Sequence, residues 1–406
     1  MVGDSESPEL RGLFATYATG FFSLSLVPMT SLVVPLWALS IGATPALIGI
    51  IVASRSVLPF FLSIHGGAMM DRLGTRRMML IFTAAGALVS LLYPLSTRIG
   101  VLIALQLFVG WAQGMGWIGA QTKIARLTGG NTTYAAHFSF VTTCGTFLGP
   151  LIAGVTWDAY GPWGAFVLIA LWGGCLTLAS YLLPAAGQRA PVRLRWRELL
   201  PQPADYWRAF ALLSIPGVAL VVGATFLRIS AFSIQGSFYT VYLQGVGLSG
   251  TSIGILVGVA SLIGGPAALL TGLAAKAVRP HWLLLGSIAL AVIFISITPL
   301  LHGFVPLLIA AGIFGLGLGM GLPLLLSILS DAISTRDQGI SVGLRTTANR
   351  LASIVLPVAM GLVIEVTGIE YGFYAIGLAL LAAVGLAAWL LHRSAALPSG
   401  ERSKNE

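Results

Sequence analysis

The chain has 406 residues, 57% of them hydrophobic and only 9% charged, with a mean hydropathy of +0.93 and a formal net charge of +9. A soluble domain carries about 25% charged residues, so this composition cannot cover a water-facing surface. It also excludes disordered, collagen-like and disulfide-framework chains, being too apolar, without a Gly-X-Y period and with two cysteines.

In chain order, the N-terminus MVGDSESPELRG is acidic and lacks the basic region of a cleaved signal, so the first hydrophobic run is expected to be retained. Runs bounded by Gly, Pro and charge predict twelve membrane-spanning helices, at 12–38, 44–69, 78–96, 100–122, 134–157, 163–184, 217–243, 250–275, 281–300, 304–329, 339–364 and 370–391. The stretch 185–208 is the longest polar segment inside the chain, and its arginines mark it as a linker between two six-helix bundles, 1–184 and 209–406. The expected fold class is therefore all-α and membrane-embedded. Cys144 and Cys175 both fall in apolar runs, which indicates neither a disulfide nor a metal site.

The charges carry topology rather than nucleic-acid affinity. Of the 22 Lys and Arg residues, 17 fall on one side of the predicted helices, Arg98 alone falls on the other, and Arg55, Arg228, Arg345 and Arg350 lie within spans. The positive-inside rule makes the rich side cytoplasmic and places both termini there. The two halves also repeat one another. At an offset of 205, Ile48-Gly49-Ile50-Ile51-Val52 recurs as Ile253-Gly254-Ile255-Leu256-Val257, and Gly110, Gly114, Met115 and Gly116 recur as Gly315, Gly319, Met320 and Gly321. Two residues later in register, Pro150, Gly154, Asp158, Gly161 and Phe166 map to Pro357, Gly361, Glu365, Gly368 and Phe373. One register over four spans exceeds what shared apolar composition produces, and it argues for two related bundles.

Between the second and third spans stands Gly67-Ala-Met-Met-Asp71-Arg72-Leu-Gly74-Thr-Arg76-Arg77. This eleven-residue pattern, with the twelve runs, the central linker and the half-repeat, resembles the signature loop of the major facilitator superfamily. The resemblance implies a conformational latch with Asp71 as its acid, Arg72, Arg76 and Arg77 as basic partners, and Gly67 and Gly74 as packing and turn residues. Gly145-Thr-Phe-Leu-Gly149-Pro150-Leu-Ile-Ala-Gly154 is similar to the Gly-Pro motif of that family's export and antiport branches, where small residues allow close helix approach and a proline loosens the helix. In the family, spans one, four, seven and ten line the pathway. Carried over, this gives a cavity lined by Tyr17, Gln106, Gln113, Trp117, Gln235 and Tyr239, together with Asn349 of the eleventh span.

Arg55 and Arg228 each lie about 16 Å from the nearer end of the predicted span at 1.5 Å per residue, and Arg350 lies at similar depth. Each costs roughly 2.5–3.5 kcal/mol at the bilayer centre even on a lenient scale. All 13 carboxylates lie in loops or at span ends, so none is placed to neutralise them. Guanidinium binds carboxylate and phosphate in a two-point fashion, so the expectation is export or exchange of a small organic anion or amphipathic acid, with Arg55, Arg228 and Arg350 in the substrate cavity. Proton-coupled efflux of lipophilic drugs is the rival reading. The expected partners are a small-molecule substrate, the lipid bilayer and protons, with no nucleic acid, no cofactor and no metal, in a monomer of a bacterial inner membrane. No nucleophile–base pair or nucleotide-binding loop points to an enzyme. Gly315-Leu-Gly317-Leu-Gly319-Met-Gly321 lies inside an apolar span and reads as helix packing.

Overall fold

The computed structural model describes residues 10–128, 132–184, 211–332 and 338–393, and every regular element among them is a helix. The expected linker 185–208 lies outside these residues. The helices are α1 (Leu10–Ser40), α2 (Pro45–Leu73), α3 (Thr75–Ser90) and α4 (Ile99–Thr128), followed by one hydrogen-bonded run, Thr132–Leu182. That run leaves helical geometry at Gly161 (φ 65°, ψ −162°), which divides it into two arms, α5 (132–160) and α6 (162–182). Then come α7, built from Pro216–Ile234, the π-helical turn Gln235–Tyr239 and Thr240–Gly245, and α8 (Gly250–Ala277), α9 (Pro280–Ser296), α10 (Phe304–Ala332), α11 (Gln338–Thr367) and α12 (Ile369–Arg393). Counting hydrogen-bonded runs gives eleven helices among the described residues, and nine of them are long and apolar enough to cross a membrane. The fifth and sixth spans expected from sequence, 134–157 and 163–184, fall on α5 and α6, which abut at Gly161, where the backbone leaves helical geometry. α3 and α9 are shorter than the expected 78–96 and 281–300.

The helix ends follow local chemistry, and the repeat extends to them. Positive φ occurs only at glycines among the described residues, where no Cβ penalises it. Gly42 (φ 79°) and Gly247 (φ 85°) turn the chain before α2 and α8, and Gly161 (φ 65°) and Gly368 (φ 89°) turn it after α5 and α11. Both pairs keep the sequence offsets of the repeat. Thr44 and Ser249, also related by it, take the same extended N-cap backbone (φ −68°, ψ 160° and φ −67°, ψ 155°).

Close packing uses the same positions. A β-carbon on Gly49 would overlap the Pro357 carbonyl, and one on Gly254 would overlap the Pro150 carbonyl, so α2 meets α11 as α8 meets α5. Within the halves, Gly110 seats against the Arg55 carbonyl and Gly315 against the Ala260 carbonyl. The glycine-rich stretch of α10 is thus a packing surface, with Gly317 on Ser287 of α9 and Gly319 on Gly264 of α8. Overpacking such a contact costs typically 1–3 kcal/mol. Gly315→Val is expected to lower the thermal-unfolding midpoint by several degrees, whereas Gly286→Val, which meets no neighbouring atom within 4 Å, leaves it near the parent value. Equal midpoints for the two variants would refute this packing account.

Candidate functional site

Two ends of the bundle can be told apart by what they hold. One, the linker face, gathers Arg11, Arg76, Tyr181 and Pro184. At the other, the loop face, the halves are joined twice in the same way. Asp158, at the end of α5, accepts hydrogen bonds from the Gly250 and Thr251 amides at 2.7 Å and from the Thr251 hydroxyl at 2.6 Å. Its repeat partner Glu365, on α11, accepts from the Ala46 amide at 2.8 Å and the Thr44 hydroxyl at 3.1 Å. Each carboxylate therefore caps the N-terminus of a helix in the opposite half, where unpaired amides and the helix dipole favour negative charge.

From these clasps the α5–α8 seam continues inward to Gly265 against Thr143. One turn further toward the linker face, Phe140 and Leu269 stand 70% and 83% exposed on the faces that were in contact. The α5–α8 seam is thus closed from the loop face to Gly265 and leaves these side chains uncovered beyond it.

The four mid-helix arginines sit between these ends. Nη1 of Arg55 donates to the Val27 carbonyl at 3.2 Å and to the Thr30 and Ser31 hydroxyls at 3.0 Å each. Arg350 on α11 lies close enough to repel Arg55, and Arg345 close enough to repel Arg228. Nε of Arg228 donates to the Leu318 carbonyl at 3.1 Å, and its side chain lies against Gly321, where a methyl group would displace it. Nε of Arg345 and of Arg350 are buried without a partner among the described residues. Among the described residues no carboxylate pairs with any of the four, and Asp158 and Glu365 are engaged in the clasps.

The π-helical turn Gln235–Tyr239 packs beside this cluster. Gly236 approaches Ser31, and the buried Phe238 lies under Gly361 of α11. Such wide turns are frequent at functional sites because they break the α-helical ladder locally. Gln235 is 5% exposed and its Nε2 has no partner among the described residues. Tyr239, 2% exposed, belongs to the same buried turn. Asn349 precedes Arg350 on α11 and is half-buried.

Other expected cavity residues are placed elsewhere. Gln106 is 2% exposed and accepts a hydrogen bond from Tyr93 at 3.1 Å. Gln113 lines a gap of about 20 Å³ inside the first half, between α1, α3, α4 and α6. Tyr17 and Trp117 flank Phe138 in an aromatic cluster of α1, α4 and α5, with centroids 6.4 and 6.1 Å away. Of the expected latch, the side chains of Gly67, Asp71 and Arg72 lie outside the described residues. Gly74 makes the α2–α3 turn with φ 89°, Arg77 is exposed, and Arg76 donates to the Tyr181 carbonyl with its guanidinium 5.2 Å from that ring. In the Gly-Pro segment, Gly145 and Gly149 seat against the Phe21 and Ser25 carbonyls of α1, and Gly154 against Gly250 of α8. Backbone angles stay helical through Pro150, and the break in this run falls at Gly161 instead.

Sequence reasoning missed the partners: the Thr30–Ser31 pair, the Leu318–Gly321 cradle and the capped helix ends. The repeat held one signal, since it equates Asp158 with Glu365 and the start of α8 with that of α2.

The model of the Major Facilitator Superfamily matches residues 13–222 and 221–406. No curated protein is similar enough in sequence to match. Among solved structures, a mutant of the nucleoside transporter NupG is similar with a TM-score of 0.78 at 15% identity, over 94% of this chain and 99% of that one. A bacterial homologue of the human lysosomal transporter Spinster, inward-facing and occupied, is similar with a TM-score of 0.73 at 14% identity, covering 94% and 96%. A POT family transporter in complex with a thioalcohol-conjugated peptide gives the same TM-score, identity and coverage.

Proposed function

Since the chain belongs to the Major Facilitator Superfamily and is a transporter rather than an enzyme, we propose that it exports or exchanges a small organic anion or amphipathic acid by alternating access. In this reading α5 and α6 are separate crossings, which makes twelve in two bundles, 1–184 and 209–406. Both termini and the linker face the cytoplasm. The excess of Lys and Arg at the linker face supports that orientation. The shut loop face is then the outer one, and the state is open toward the cytoplasm of a bacterial inner membrane.

One observation carries the choice of an anion: four guanidinium groups on α2, α7 and α11 without a carboxylate partner among the described residues, with Nε of Arg345 and of Arg350 buried and unpaired there. Burying like charges is unfavourable, and an anion between them converts repulsion into charge-assisted hydrogen bonding. Arg55 uses Nη1 on α1, which leaves further N–H donors for a ligand. Gln235 adds an unsatisfied amide. Because the arginines lie on α2, α7 and α11, an anion drawing them together couples binding to closure of the linker face. The similar structures are a nucleoside transporter and a POT family transporter in complex with a thioalcohol-conjugated peptide, which do not share a substrate class, so the substrate class rests on this chain's own charges.

Counterflow in proteoliposomes tests the reading. Exchange is expected for one or more mono- or dicarboxylates or phosphate esters and not for cationic dyes. Exchange confined to lipophilic cations would overturn it in favour of proton-coupled drug efflux. That second reading draws its support from the small-residue packing of Gly145, Gly149 and Gly154.

A further inference from the structure

We propose that the linker face carries a binding site for the phosphate headgroup of an anionic phospholipid, separate from the central arginines. A cavity of about 280 Å³ opens there between the start of α1, the start of α3 and the end of α6, lined by Arg11, Gly12, Arg76 and the Tyr181–Pro184 segment. That volume accommodates a phosphate with its glycerol. Two cations line it, and a third lies behind its Pro184 wall. Arg11 is exposed on its rim, and Arg76 lies over the Tyr181 ring, its Nε buried without a partner among the described residues. Lys123 of α4 is 7% exposed, and its Nζ reaches the Pro184 carbonyl at 3.0 Å.

These groups hold the chain end of α6 through its carbonyls and keep their charges uncompensated by any described carboxylate. Basic pockets between membrane helices at a cytoplasmic surface are suited to lipid headgroups.

The surroundings select a lipid over a free phosphate. One helical turn from Arg11, Phe14 is 68% exposed, and one turn from Tyr181, Leu178 is 60% exposed. Tyr181 and Leu182, 59% and 40% exposed, continue the apolar strip. A cationic pocket thus opens directly onto apolar helix faces running into the bilayer, which is the layout a headgroup with attached acyl chains requires. A soluble anion would gain nothing from the strip.

The test is native mass spectrometry of the full chain, released from detergent in the presence of phosphatidylglycerol, phosphatidylcholine or inorganic phosphate. Retention of phosphatidylglycerol above phosphatidylcholine is expected for the parent, reduced at least fivefold in Arg11→Gln and further in Arg11→Gln/Lys123→Gln. Arg11 is exposed, so its single variant tests the site without burdening the fold. Arg77→Gln, an exposed cation on α3 that does not line the cavity, serves as the charge control and should retain lipid as the parent does. Equal retention of both lipids, unchanged retention in Arg11→Gln, or an equal loss in Arg77→Gln would each overturn the site. Displacement of phosphatidylglycerol by millimolar inorganic phosphate would show a free-anion site and overturn the lipid assignment.

Discussion

Arg55→Ala is expected to abolish exchange of the transported anion while leaving the protein at least as stable as the parent. A guanidinium in direct contact with an anion away from bulk water accounts for roughly 2–5 kcal/mol on truncation. At 1.4 kcal/mol per tenfold, that is about 30-fold or more in affinity. Stability should move the other way, because the parent holds two like charges near each other and removing one relieves that repulsion. The Thr30 hydroxyl left behind is not orphaned, since it also donates to the Leu26 carbonyl at 2.8 Å. Arg55→Lys keeps the charge but not the planar fork, and should fall between the two. Arg228→Ala should behave alike, relieving Arg345. Initial rates of counterflow and thermal-unfolding midpoints, measured on the same preparations, decide the matter. An arginine held only for structure gives the opposite pattern, lower stability with exchange intact.

Asp158→Ala combined with Glu365→Ala is expected to shift the protein toward a state open at the loop face. A capping side chain at a helix N-terminus contributes typically about 1 kcal/mol, with a range near 0.5–2. Here each carboxylate accepts bonds from a helix in the other half, so both contributions are lost when that face opens. Together they bias the equilibrium by about 1–4 kcal/mol, or five- to several-hundred-fold in population. Because the two clasps are equivalent by the repeat, each single variant should give part of the shift. Spin labels on Thr97 and His302, exposed loop residues related by the 205-residue offset, would report it. The parent should give one short distance distribution, and the double variant an added longer one. Superimposable distributions would show that the glycine–carbonyl contacts alone keep the face shut. Acidification protonates Asp158 and should act in the same direction.

The membrane class, the presence of two related halves and the placement of four arginines within long helices were all legible in the residues. Composition decides the first, because 9% charged residues cannot coat a soluble surface. Periodic identity at a fixed offset decides the second, and helix rise per residue sets the depth of the arginines. Helix boundaries were less legible: Gly161 and Gly368 are equivalent glycines with positive φ that end α5 and α11, while α3 and α9 stop short of their hydrophobic runs. The cavity was legible only in part. Gln106 and Gln113 share a helical stripe with Trp117, but a stripe does not say which neighbour it meets, and these two glutamines face the interior of their own half.

By itself, then, the sequence determined what kind of molecule this is and where its costly charges lie, because solvation and periodicity act locally along a helix. Only the tertiary structure decided which groups meet. It set Arg55 against Ser31, Arg228 against Leu318, and each terminal carboxylate on a helix of the opposite half. Those contacts join residues far apart in the chain, and their geometry depends on how bundles rotate and pack, which no local pattern encodes.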